Sequence, residues 1–291
     1  MLRLKVVGGA ALFVLVGAAC NPLLAPQGPA PMRYRDAIFA EVTKTADISY
    51  GSAVDQTNTT VNLTLDLYEP TGDTVTKRPA IVWVHGGGFG FGSKDSPELV
   101  DEANYFAQRG YVNVSIKYRL APGGCVGNVG ASCLIGIGHA RDDAQTAVRF
   151  LRQQAATYRI DTDRIAIGGT SAGAITALNV GYGSETPGPG DHQGYSSAVR
   201  AVQSFSGAAI PNGPIGPGDA PALFFHGTAD GLVPYSWVQS TVAEAKADQL
   251  VAILQTWPGA GHVPYVEHRT QILEETRNFF HMLMDLTHAA R

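Results

Sequence analysis

Val61, Leu63, Leu65 and Leu67 alternate with Asn62, Thr64, Asp66 and Tyr68, a period of two that predicts a half-buried strand ended by Pro70-Thr71-Gly72-Asp73. Ala80 to His85 is an apolar run of the kind that fits a central strand covered on both faces. Ser96-Pro97-Glu98 predicts an N-cap, a first-turn proline and an acidic first turn, opening a helix that stops at Gly110. Tyr111 to Tyr118 reads as the next strand. His139 to Tyr158 reads as a long amphipathic helix with Ala144, Val148 and Leu151 towards the core. Asp163 to Ile167 reads as a short buried strand, and a helix starts near Ala174. Beyond it, strands are expected over Ala201 to Phe205, Ala222 to His226 and Val251 to Trp257, with helices over Trp237 to Ala247 and Pro264 to Leu286. Strands alternating with helices predict an α/β fold, a mostly parallel central sheet with helices on both faces. The stretch from Thr186 to Ser197 is polar, short and rich in glycine and proline, so no large lid domain is expected.

The chain ends change the picture of where this domain works. Arg3 and Lys5 precede an apolar run from Val6 to Val16 and then Gly17-Ala18-Ala19-Cys20, the pattern of a secretory signal over residues 1–19. A cysteine directly after small residues resembles a bacterial lipoprotein signal, with Cys20 the lipidated residue, although Gly17 stands where an aliphatic residue is usual. The expected product is exported and lipid-anchored to a cell-envelope membrane, or secreted if Cys20 is not lipidated. Pro22, Pro26, Pro29 and Pro31 predict a tether over 20–45, leaving 46–291 as one α/β domain that would hold any active site. The two remaining cysteines, Cys125 and Cys133, lie in a Gly-rich loop without C-x-x-C spacing, which favours a local disulfide over two free thiols outside the cell. The 291 residues are 45% hydrophobic and 16% charged, with a net charge of −4 and no Lys/Arg cluster, so nucleic acid is not an expected partner.

Chemistry concentrates at Gly168-Gly169-Thr170-Ser171-Ala172-Gly173. Gly169 to Gly173 spells G-x-S-x-G between a strand and a helix, where a sharp turn would lift the Ser171 hydroxyl above the sheet edge. A phosphate loop is excluded, because Ala174-Ile175 stands where Lys and Ser/Thr are required. Upstream, His85-Gly86-Gly87-Gly88-Phe89 follows the strand from Ala80 and offers backbone N–H groups to a developing oxyanion. A serine hydroxyl needs a base, and the base needs an orienting carboxylate. Asp230 lies in the loop after the strand from Ala222, and His262 in the Gly-rich loop after the strand from Val251, in the order Ser, Asp, His. His226 precedes the aspartate, His268 and His281 fall within the last helix, and Asp219 lies at the wrong sheet edge. No metal-ligand spacing is present and no cofactor is implied.

With these residues in hand, the chain from about Asp47 onward resembles α/β-hydrolase esterases of the hormone-sensitive-lipase type and related small bacterial carboxylesterases. The resemblance rests on His85-Gly86-Gly87-Gly88-Phe89, Tyr118-Arg119-Leu120-Ala121-Pro122 and Gly169-Thr170-Ser171-Ala172-Gly173. It implies Ser171 as nucleophile, Asp230 as acid and His262 as base, with oxyanion donors from Gly87, Gly88 and Ala172. Thr170 stands where the lipase-like branch usually has Asp, and His226-Gly227-Thr228-Ala229-Asp230 replaces its Asp-Pro-Leu acid motif. Both are closer to feruloyl-esterase-like, formamidase-like and peptidase-like members. The expected activity is hydrolysis of small or medium acyl esters, with an amide or peptide hydrolase, or a non-catalytic binding module, as alternatives. Phe89 and Phe91 are candidates to line an acyl pocket or to pack beneath the glycine loop.

Overall fold

Ala80, Val82 and Val84 face one side of a strand and Ile81 and Trp83 the other, all fully buried, and each side belongs to a separate hydrophobic core. Complete burial of one such branched or aromatic side chain contributes about 1.5–3 kcal/mol, so a strand apolar on both faces is stable only between two helical layers. The computed structural model describes residues 23–125, 129–183, 188–211 and 215–287. In chain order the elements are β1 (Val42–Val54), β2 (Thr60–Pro70), β3 (Arg78–Val84), α1 (Pro97–Ala107), β4 (Val112–Ile116), α2 (Ala131–Gln153), α3 (Ala155–Tyr158), β5 (Ile160–Thr170), α4 (Ala172–Gly181), β6 (Val202–Phe205), β7 (Ala222–Gly227), α5 (Tyr235–Ala247), β8 (Ala252–Trp257) and α6 (Tyr265–Leu283). They build one eight-stranded sheet in the order β1-β2-β4-β3-β5-β6-β7-β8. β1 pairs with β2 and β2 with β4 antiparallel; every other pair is parallel.

The two cores sort the helices. Ile137, Ala144 and Val148 of α2, Ile175 and Leu178 of α4, and Val238 and Ala245 of α5 pack with Val82 and Phe224. Leu99 and Phe106 of α1 and Ile272, Phe279 and Phe280 of α6 pack with Trp83, Phe205 and Phe225 on the other face. This is the mostly parallel, two-faced α/β sheet that the alternating pattern predicts.

The structure adds to the sequence expectation in some places and departs from it in others. β1 is mostly exposed, an edge strand that pairs only with β2, and of its short alternation Ala46, Ile48, Tyr50 only Ile48 and Tyr50 reach the core. The helix expected from His139 begins at Ala131. Its early turns hold Gly136, where a Cβ would stand 3.0 Å from Ala121 Cβ and 3.1 Å from Phe89 Cβ, so a residue that weakens the helical pattern serves a close approach. Ser96 precedes α1 but its side chain makes no capping hydrogen bond. The described part of the expected tether, from Leu23, is docked on the domain. Tyr34 is fully buried, edge-on to Tyr111 at 5.2 Å, and its N–H donates to Arg109 O at 2.9 Å. Arg33 pairs with Asp73, and Asn278 Nδ2 donates to Leu23 O at 2.9 Å. Buried aromatic area outweighs the proline content that suggested a free linker. The signal segment and Cys20 lie outside the described residues, and no described helix is long and apolar enough to cross a membrane.

Candidate active site

β3 and β5 lie in register, Val84 opposite Gly169, so the two glycine-rich loops that follow them leave the same sheet edge side by side. Ser171 has φ 54° and ψ −116°, strained for a residue with a Cβ, and its N–H donates to Phe205 O at 2.8 Å. The turn closes because Gly173 has no side chain: a Cβ there would stand 1.9 Å from Val84 O. Ser171 thus sits at the N-terminus of α4, whose unpaired N–H groups and dipole favour negative charge nearby.

The loops after β7 and β8 bring the other two groups to this edge. Ser171 Oγ–H donates to His262 Nε2 at 2.8 Å, and His262 Nδ1–H donates to Asp230 Oδ2 at 2.7 Å. Asp230 Oδ1 accepts the N–H groups of Leu232 and Val233, each at 2.9 Å. Burial favours the protonated acid, but the hydrogen bonds from His226, His262 and these two amides win. The carboxyl is held well below the usual range and stays ionised. The side chain of Asp230 is inaccessible while that of His262 is 17% exposed, so the imidazole has one protected and one open edge.

The loop after β3 forms the facing wall. Gly87 has φ 111°, and a Cβ there would stand 2.1 Å from Phe91 O, so only glycine fits the turn. Among the described residues the N–H groups of Gly87, Gly88 and Ala172 have no backbone acceptor, and all three residues line the cavity beside Ser171. His85 anchors this loop from below. Its ring stacks on Tyr118 at 4.2 Å, its Nδ1–H donates to Gly86 O at 2.7 Å, and Tyr118 O–H donates to His85 O at 3.1 Å. Burial pushes the His85 imidazole down to about 4, so it is neutral at physiological pH. The cavity measures about 760 Å³, and Phe89, Ile137, Ile175, Ile210 and Trp237 give it an apolar lining. Phe89 is buried beneath the loop, while Phe91 is exposed at the rim. Cys125 and Cys133 are disulfide-bonded, and both line the same cavity. Among the described residues no group of three or more His, Cys, Asp or Glu is arranged to hold a metal.

His226 is the neighbour that the sequence order passed over. It is fully buried, its Nε2–H donates to Val233 O at 2.9 Å, and the same nitrogen lies 3.2 Å from Asp230 Oδ2. Chain order excludes it as the base, yet its spacing four residues before Asp230 was a signal that both reach one carboxylate. Glu98, in the first turn of α1, is the other missed side chain. It lines the cavity, and burial pushes its carboxyl up.

Residues 65–209 match the BD-FAE family model. Gut esterase 1 of Caenorhabditis briggsae is 33% identical over 153 residues, which is 52% of this chain and 26% of that protein. Phenmedipham hydrolase of Pseudarthrobacter oxydans is 35% identical over 115 residues, 39% of this chain and 22% of that protein. The chain therefore spans about a quarter of the length of these curated relatives. Among solved structures, a thermophilic esterase of Thermogutta terrifontis superposes with a TM-score of 0.67 at 24% identity, covering 87% of this chain and 96% of that one. A truncated carbohydrate esterase from gut microbiota gives 0.66 at 20% identity, covering 89% and 100%.

Proposed function

We infer that this α/β-hydrolase is a carboxylic-ester hydrolase of small or medium acyl esters, with Ser171 as nucleophile, His262 as base and Asp230 as its orienting acid. The observation that carries the reading is the unbroken chain of hydrogen bonds from Ser171 Oγ through His262 to Asp230, on the wall of an apolar cavity. Ser171 Oγ attacks the ester carbonyl carbon while His262 Nε2 takes its proton. The carbonyl oxygen becomes an oxyanion and accepts hydrogen bonds from the N–H groups of Gly87, Gly88 and Ala172. When the tetrahedral intermediate collapses, the imidazolium returns the proton to the departing alcohol, leaving Ser171 acylated. Water then enters, gives its proton to His262, and releases the acid by the same steps in reverse order. Asp230 remains ionised throughout and steadies the imidazolium.

A fluorophosphonate probe tests the assignment. It should label the protein on Ser171, and Ser171→Ala and His262→Ala should each lower kcat/KM for an aryl acetate by roughly 10⁴- to 10⁶-fold. The double variant should be little worse than either single one, because the residues act as a unit. Wild-type rates in either single variant, or losses that simply multiply, would sink the reading. Across aryl esters below their aggregation limits, kcat/KM should climb to about six acyl carbons and then level off. Each buried CH₂ adds about 0.8 kcal/mol until the apolar wall is filled. A rate that keeps climbing to long chains would point to a larger groove.

The same proposal covers location: the leader with Arg3, Lys5 and the run to Val16 exports the chain, and Cys20 carries its lipid, or the protein is secreted if it does not. Labelling with an alkyne fatty acid in a bacterial host should mark the wild type and not Cys20→Ser; equal labelling of both rules the anchor out.

A further inference from the structure

The Cys125–Cys133 bond joins two segments that both press on the glycine loop. On one side, Cys125 N–H donates to Gly88 O at 2.6 Å and Ala121 N–H to Phe89 O at 2.8 Å. Gly124 approaches so closely that a Cβ on it would stand 2.2 Å from Gly88 O and 2.6 Å from Gly90 N. On the other side, Cys133 is buried in the first turn of α2, and Gly136 lets the helix lie against Phe89. Farther along α2, Ile137, Ala140 and Ala144 belong to the core, so this partner of the bond is fixed to the body of the domain. The glycine loop between them holds one tight turn of its own, Gly90 N–H and Phe91 N–H donating to Gly87 O at 3.0 and 3.1 Å, and is otherwise set by its neighbours. Gly87, Gly88 and Phe89 have φ of 111°, 55° and 62°, three successive positive values, one of them at a residue with a Cβ. Such a loop keeps its shape only where its surroundings dictate it.

We propose that the Cys125–Cys133 disulfide is a positioning element for catalysis: it ties the segment from Ala121 to Cys125 to α2 and so fixes the Gly87 and Gly88 N–H groups on the oxyanion. The inference rests on the ester-hydrolase reading of Ser171. Reduction by a dithiol takes two electrons and two protons from the dithiol, which closes to its own disulfide, and leaves two thiols in the protein. The nucleophile, base and acid are unchanged by that step. Slack of about 1 Å in the donors lowers kcat about 10- to 100-fold. KM changes little, because the lost interaction belongs to the transition state.

The test measures kcat and KM for an aryl acetate on the full chain, oxidised and after dithiothreitol, with reduction verified by alkylation of Cys125 and Cys133. The aromatic bands of the near-UV circular dichroism, read at wavelengths beyond the disulfide's own contribution, follow the fold. The expected result is a kcat lowered at least tenfold, a KM within threefold and an unchanged near-UV signal. Cys125→Ser with Cys133→Ser should show the same lowered kcat and no response to dithiothreitol. Reduced protein whose kcat stays within twofold of the oxidised form overturns the proposal. So does loss of the near-UV signal on reduction, since the bond then holds the fold and not the loop. An oxidised chain without esterase activity would instead defeat the functional reading beneath it.

Discussion

Asp230 Oδ2 lies within reach of two imidazoles, and their inequality sets their roles. His262 donates at 2.7 Å and has its other nitrogen on Ser171, whereas His226 lies at 3.2 Å, shares its Nε2–H with Val233 O and, among the described residues, has no partner at Nδ1. His226 therefore steadies the carboxylate and the Val233 turn without a path to the substrate. Hydrogen bonds to charged groups contribute about 1.5–3 kcal/mol, so His226→Leu should lower kcat/KM about tenfold or more. His226→Gln, which keeps a donor near Nε2, should recover most of that; steady-state kinetics on the two variants decide it, and equal losses would mean that only ring packing matters. At this scale the sequence was most legible where a residue's type is demanded by chemistry. Ser171, Asp230 and His262 could be picked out by order and loop context, and the structure brings the three within hydrogen-bond distance. Glu98 was harder, because its place in the cavity wall depends on how α1 packs, and His226 because its spacing from Asp230 tells only once the loops after β7 and β8 are folded together.

Those two loops interlock as elements. Ala229 N–H donates to Ala260 O at 2.9 Å, Thr228 N–H to Trp257 O at 3.1 Å, and Gly259 N–H to Thr228 Oγ1 at 2.8 Å. Gly227, at the end of β7, is the contact point: a Cβ would stand 2.3 Å from Ala260 O and 2.5 Å from Gly261 O. Gly227→Ala should push the β8 loop outward and carry His262 off Ser171, lowering kcat about 100-fold. Thermal melting should fall far less than for Gly173→Ala, where the obstacle is the backbone of the central strand β3. Matching melting losses in the two variants would contradict this. The elements themselves followed the apolar pattern where they are buried on a face, as in β3 and α4. The pattern failed at the start of α2, where Gly136 answers to Phe89 and not to helix propensity.

For the whole molecule, buried ionisable groups set opposite slopes of stability with pH. Burial holds His85 and His281 down to about 4, so between about 6.5 and about 4 the folded chain binds fewer protons than the unfolded one. Stability is therefore lost as pH falls through that window. Glu102 is fully buried, with Gln203 Nε2 donating to it at 3.4 Å, and burial raises its carboxyl well above the ordinary value. Its contribution is present at low pH and lost as pH rises. Melting temperatures from pH 4.5 to 9 should fall towards acid less steeply in His281→Leu, while Glu102→Gln should gain on the wild type above neutrality; parallel curves would refute both. One consequence of the docked amino-terminal segment reaches beyond the domain. Leu23 is pinned to Asn278, between three and four turns and roughly 20 Å along α6 from its active-site end at Tyr265. Arg33 and Tyr34 are held beside Asp73 and Arg109, which precede β3 and β4 at the edge where the parallel strands begin. Cys20 stands three residues before Leu23, a leash of about 10 Å at full stretch. A lipid at Cys20 would moor the protein by its floor, with the mouth of the cavity turned outward, and its esters would arrive from the water above and not from the leaflet beneath.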